Sequence, residues 1–202
     1  MPSLLPRQLL SINVAQASPL TIEGRQIMTA IRKRAVSSLT EPHRIAVKPL
    51  GLEGDDQADM TVHGGLSKAV YAYPHEHYAF WQTVRAQASA QAWGEAMPHG
   101  MLGENLTLTG LLEGDVHVGD ILQFSDCSLA ISEPRRPCYK FQAVMGFPHA
   151  VKMMAQSGYC GFYLTVRQPG TIAAGESYEL IPGPREVSIA ELFKAKMHRH
   201  ID

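Results

Sequence analysis

At 202 residues the chain is long enough to bury a real core in one domain, and an apolar fraction of 45% suits a soluble globular protein. A formal net charge of −1 excludes a global basic field for nucleic acid polymers or anionic membranes, so any anion site has to be local. Three cysteines (Cys127, Cys138 and Cys160) without clustered spacing argue against a disulfide framework and for a reducing compartment.

The opening "MPSLLPRQLLSINVAQ" has no uninterrupted apolar run and no clear cleavage site. No later stretch approaches the roughly 18 apolar residues of a membrane span. A cytoplasmic location without membrane contact is therefore expected. Seventeen glycines and thirteen prolines divide the rest into short runs of strand type. In chain order these are "LLSINVAQ" (9–16), "IMTAIRKRAV" (27–36), "RIAVKPLGL" (44–52) and "KAVYAYP" (68–74). "ENLTLTG" (104–110), "DILQFSD" (120–126), "SLAIS" (128–132), "GFYLTV" (161–166) and "ESYELI" (176–181) follow. Many short strands separated by turn signals predict a mainly β fold, a barrel or sandwich, with a few short helices.

Three stretches carry helical signals. In residues 75–92, Tyr78, Trp81, Val84, Arg85 and Ala88 recur at spacings of three and four behind Pro74. Residues 148–157 form a short candidate ending at Gly158. "SIAELFKAKM" (188–197) opens with serine and carries glutamate three residues later, a capping box. It follows the stiff "IPGPRE". The chain therefore divides into a β domain over residues 1–182 and a short helical appendage over 183–202.

Several residue types here could do chemistry. Gly64-Gly65, between His63 and Lys68, permits a turn with positive φ and a close backbone approach, which serves either a ligand or an ordinary turn. His75 and His77 stand two apart at a helix start and lack the further ligands a zinc site needs, so a structural role is expected. His198 and His200 belong to a charged tail. Asp115 and Asp120 in "GDVHVGD" read as turn formers. Asn105 either braces a loop or reaches into a site. Cys127 and Cys160 sit beside strand-type segments and read as core fillers.

The densest stretch is "SEPRRPCYKF" (132–141). Pro134 and Pro137 restrict the backbone around two arginines, and Cys138 follows at once. Arg135, Arg136 and Lys140 would favour the thiolate if the cysteine is partly exposed. A thiolate is a nucleophile and a soft metal ligand, and the same cations can hold a phosphate. Because adjacent residues point apart, only two of the three cations are expected to face the thiol. The residues alone leave two readings open: a reactive or ligating site, or a basic loop around a structural cysteine.

Taken together and in order, "VHGG", "KAVYAYP" running on to "EHY", "GENLT", the paired Gly-Asp turns, Arg-x-Pro-Cys-x-Lys and "SGYCGFY" resemble the MOSC domain family, related to the carboxy-terminal domain of molybdenum cofactor sulfurase. The likeness spans residues 25–181 and is to the stand-alone bacterial branch. It implies a compact strand-rich barrel and a pyranopterin molybdenum cofactor, easily lost from overexpressed protein. Cys138 would be the molybdenum ligand and catalytic residue. Arg135 and Lys140 would hold the cofactor phosphate or pterin, and His63, Gly64, Lys68 and Asn105 would line the pocket. Relatives with known activity reduce N-hydroxylated compounds. With no iron–sulfur or flavin motif in the chain, electrons would come from a partner reductase.

Two other functions use the same residues. One is a sulfur carrier with a persulfide on Cys138, and the other is a non-catalytic barrel that binds a phosphorylated ligand through the basic loop. The stand-alone branch ends in a three-helix extension, of which "VSIAELFKAKMHRHID" supplies one helix.

Overall fold

The computed structural model describes residues 5–58 and 64–198. The amino-terminal half supplies β1 (Gln8–Val14), β2 (Ser18–Ile22), β3 (Arg25–Thr29), β4 (Arg34–Ser38), β5 (Ile45–Lys48), β6 (Gly51–Leu52), β7 (Val70–Pro74), α1 (Tyr78–Gln87) and β8 (Leu106–Thr109). The remainder supplies β9 (Ile121–Gln123), β10 (Ser128–Pro134), α2 (Tyr139–Met145), α3 (Ala150–Ser157), β11 (Phe162–Gln168), β12 (Gly170–Ile172), β13 (Glu179–Ile181) and α4 (Ile189–His198).

Eight strands form one mixed sheet in the order β13-β9-β10-β11-β7-β8-β1-β4. Its parallel pair is β7 with β8, whose crossover contains α1. β5, β6 and β12 form a second sheet, and β2 with β3 a hairpin. The mainly β expectation holds. The large sheet does not close into a continuous barrel. It curls until the stretch leading into β13 meets β1 through one isolated bridge, Gln8 to Ser177, supported by Leu9 N–H donating to Glu176 O at 2.9 Å. Closing a barrel needs a full ladder there, and the segment instead leaves β1 to pair with β9 as β13.

Local chemistry explains where predicted strands divide. The run 27–36 becomes β3 and β4, separated at Lys33, whose N–H bonds Ile31 O at 3.0 Å. The run 44–52 folds back as β5 and β6. Gly51 takes φ +136°, and a Cβ there would lie 2.8 Å from Ala69 O. Both strand faces of β7 are buried, so its pattern is a continuous apolar run.

The expected stripe of α1 is correct in Tyr78, Trp81, Val84 and Arg85, all buried. The helix stops at Gln87, and Ala88 is exposed beyond it. α3 ends at Gly158 in the left-handed conformation. At α4 the capping box forms: Glu191 N–H donates to Ser188 Oγ at 3.2 Å and Ser188 N–H to Glu191 Oε2 at 2.9 Å. Ile189 and Phe193 bury the inner face of α4 in the core. α2 gave no sequence signal, because seven residues are too few for helical periodicity to register. The core joins both halves of the large sheet to the helices, through Leu9, Leu106, Trp81, Phe141, Phe162 and Phe193.

Asp115 and Asp120 act as turn formers, as expected. Asp115 Oδ2 accepts from Leu112 N–H at 3.3 Å. Asp120 does more: its carboxylate accepts from His117 N–H and Gly183 N–H and pairs with Arg185 at 3.1 Å, which ties the stretch before α4 to the sheet. Cys127 and Cys160 are fully buried. Burial pushes the Cys127 thiol up to about 12 and raises that of Cys160 as well. His198 lies at the end of α4, and His200 is outside the described residues.

Candidate functional site

β10 delivers the basic stretch to one cleft. β9 pairs only with Ser128–Ala130, so the far end of β10 has β11 alone as a neighbour, and Pro134 interrupts no ladder on the open edge. The chain then alternates. Arg135 is buried at 4% exposure, Arg136 is exposed, and Cys138 is half-buried at the position capping α2. Cys138, Arg135 and Lys140 line the same cleft; Arg136 does not. Two of the three cations thus reach the thiol's cleft.

Arg135 is held by stacking. Its guanidinium lies 4.8 Å from the Phe141 ring centre and 5.1 Å from that of Tyr71, with Nη1 3.8 Å from Met154 Sδ. Among the described residues no carboxylate comes within 4 Å of it. Its charge acts instead on Cys138, Tyr71 and Tyr163. Burial raises the titration of both tyrosines, and Arg135 partly opposes this. A buried cation without a carboxylate, beside a thiol, leaves positive potential facing the cleft.

Lys68 also lines the cleft. Gly65, at φ +86°, starts the 3-10 turn Leu66–Lys68, and its N–H donates to Gln57 Oε1 at 2.8 Å. Lys68 Nζ is 3.9 Å from Glu133, which also holds Lys196 of α4 at 2.9 Å. Gly64 is buried and is not among the residues lining the cleft. His63 lies outside the described residues.

Asn105 lines the cleft as expected, yet its side chain is spent on bracing. Oδ1 accepts from Tyr71 N–H at 3.0 Å, and Nδ2 donates to Asn13 O at 3.2 Å and Asp55 Oδ2 at 2.8 Å. Asp55 in turn pairs with Lys33 in the cleft wall and accepts from Ala15 N–H at 2.8 Å. Burial lowers the Lys33 titration, and Asp55 works against that shift.

Lys33, Asp55, Tyr71 and Tyr163 went unread in the sequence. The adjacent acids of "GDDQAD" were the available signal for Asp55. Nothing in spacing links it to Lys33, 22 residues earlier. Tyr71 and Tyr163 are cross-strand partners of β7 and β11, visible only once the strands pair. His75 and His77, expected to be structural, each pack against a neighbouring side chain. His75 sits against His99, with Nδ1 and Nε2 3.3 Å apart, and His77 is buried against Glu113 at 2.8 Å. Among the described residues no cluster of three or more His, Cys, Asp or Glu is placed to hold a metal. No helix among the described residues is long and apolar enough to cross a membrane.

The described walls enclose about 90 Å³. Residues 59–63, next in the chain to the lining residue Ala58, are outside the described residues.

Comparison with known proteins identifies the family. The family model for the MOSC domain matches residues 59–179, more than half of the chain, and includes Lys68, Asn105, Arg135, Cys138 and Lys140. The uncharacterized Bacillus subtilis protein YflK is 35% identical over 181 residues, covering 89% of this chain and 76% of YflK. A Gibberella moniliformis protein named a reductase is 33% identical over 135 residues, 66% of this chain but 23% of that larger protein. The crystal structure of YiiM from Geobacillus stearothermophilus superposes with a TM-score of 0.73 at 33% identity, covering 98% of this chain and 87% of that one. On the match to its family model and its likeness to YflK, the chain belongs to the MOSC domain family.

Proposed function

We propose that this protein binds a molybdenum pyranopterin cofactor through the Cys138 cleft and reduces N-hydroxylated bases or related small molecules. Electrons would come from a separate reductase in the cytoplasm. One observation carries the reading: a half-buried thiol stands beside a buried guanidinium that has no carboxylate within 4 Å among the described residues. The reductase name of a relative supports the reaction class.

The donor set fits such a group on this chain's own chemistry, a soft sulfur ligand with cations for a phosphate. When bound, the cofactor supplies two-electron chemistry at the substrate's N–O bond. Cys138 offers the sulfur donor, and Arg135 and Lys140 hold the phosphate or pterin. Phe141 and Tyr71 keep the guanidinium in place by stacking on it. Asn105 positions the wall through Tyr71 and Asp55 rather than binding a ligand itself. The β unit over 1–182 would carry the site, and α4, linked to Glu133, would buttress it.

Molybdenum and pterin content should be measured on protein purified from a host that makes the cofactor. Wild type should carry both, Cys138→Ala should lose molybdenum, and Lys140→Glu should lose pterin. Molybdenum retained in full by Cys138→Ala would overturn the ligand assignment. Cofactor-free wild type bearing one extra sulfur on Cys138 would replace this reading with sulfur carriage. Neither cofactor nor added sulfur would leave a ligand-binding module.

A further inference from the structure

A second concavity, of about 1030 Å³, lies away from the cleft between α3, α4 and the Leu112–Asp115 turn. It shares no lining residue with the cleft. Leu112, Tyr159, Phe193 and Met197 give it apolar walls. The exposed cations Lys152 and Lys194 stand on α3 and α4, and neither has an acidic partner within 4 Å among the described residues.

The groove also has a built polar group. His77 lines it and is 7% exposed. Its Nε2 lies 2.8 Å from Glu113 Oε2, while Glu113 Oε1 accepts from Gly161 N–H at 2.7 Å. The imidazole stacks on Tyr159 with ring centres 3.8 Å apart. Nε2 faces the Glu113 carboxylate, so on a neutral ring that nitrogen donates and Nδ1 is the acceptor. Nδ1 has no hydrogen-bond partner among the described residues. A ring that lines the groove thus has one nitrogen without a partner, and two exposed cations have no acidic partner within 4 Å among the described residues.

We propose that this groove binds a small amphipathic organic anion. Its apolar body would lie against Leu112, Phe193 and Met197, its acid group between Lys152 and Lys194, and a donor on it would reach His77 Nδ1. Apolar burial supplies the affinity, and the lysines choose the charge.

The probe is 8-anilinonaphthalene-1-sulfonate, an aromatic sulfonate with one N–H, titrated by fluorescence into the full chain. Wild type should bind one molecule saturably. The double variant Lys152→Glu/Lys194→Glu should weaken binding at least tenfold. Ala190→Trp, an exposed groove position on α4, should block it without altering charge. Lys68→Glu, in the other cleft, should bind the probe as wild type does. No saturable binding, an affinity unmoved by both groove variants, or a loss caused by Lys68→Glu would each overturn the proposal.

Discussion

Asn105 Nδ2 donates to Asp55 Oδ2 at 2.8 Å across 50 residues of sequence, and the same amide accepts from Tyr71 N–H. One side chain therefore joins β7, β1 and the Lys33–Asp55 pair in the cleft wall. Replacing it should unfasten all three. Asn105→Ala leaves Tyr71 N–H and Asn13 O without their partner in a buried site, for about 2–4 kcal/mol in total. Urea denaturation of wild type and variant measures the loss. A change below about 1 kcal/mol would remove the bracing role.

The three thiols should differ in reactivity. Cys138 is half-buried, while Cys127 and Cys160 are sealed in the core with titrations raised by burial. Brief treatment of native protein with iodoacetamide should label Cys138 alone, and all three should react in denaturant. Peptide mass spectrometry reads the sites. Labelling of Cys127 in the native protein would contradict its burial.

Gly161 and Gly65 both have positive φ but differ in surroundings. A Cβ on Gly161 would lie 2.5 Å from Ala72 O, whereas one on Gly65 meets nothing within 4 Å. Gly65→Ala should cost about 1–3 kcal/mol, from backbone conformation alone. Gly161→Ala should cost about 3 kcal/mol or more, since β7 and β11 must part and the bond to Glu113 must stretch. Thermal melts of the pair test the ordering.

His99 is pushed down from 6.5 to about 4, first by burial and then by His75. The unfolded chain therefore takes up a proton between pH 6.5 and 4 that the folded chain refuses. Stability should be present above pH 6.5 and fall as pH drops through that window. Because His99 is only partly buried, screening cuts its share to about 1 kcal/mol between pH 7 and 5. Urea midpoints at those two pH values should differ less for His99→Asn than for wild type. An equal difference in both proteins would assign the acid sensitivity elsewhere.

Much of the fold was legible because it is local. Turn residues mark where strands end. The α1 stripe of Tyr78, Trp81 and Val84 and the Ser188–Glu191 box are patterns a few residues long. The ordered motifs around Arg-x-Pro-Cys-x-Lys pointed to the family and to one cysteine of three. By itself the sequence determined the mainly β class and the family, and it singled out residues 132–141 as the candidate stretch for chemistry. Only the tertiary structure decided which charges meet. It turned Arg135 inward and Arg136 outward, set Lys33 against Asp55, spent Asn105 on bracing, and buried His77 against Glu113. It also left the large sheet open, because the stretch after Gly175 leaves β1 for β9. The physical reason is the same in each case. Hydrogen-bond and charge partners more than 20 residues apart are chosen by strand pairing and burial, and neither leaves a trace in local spacing.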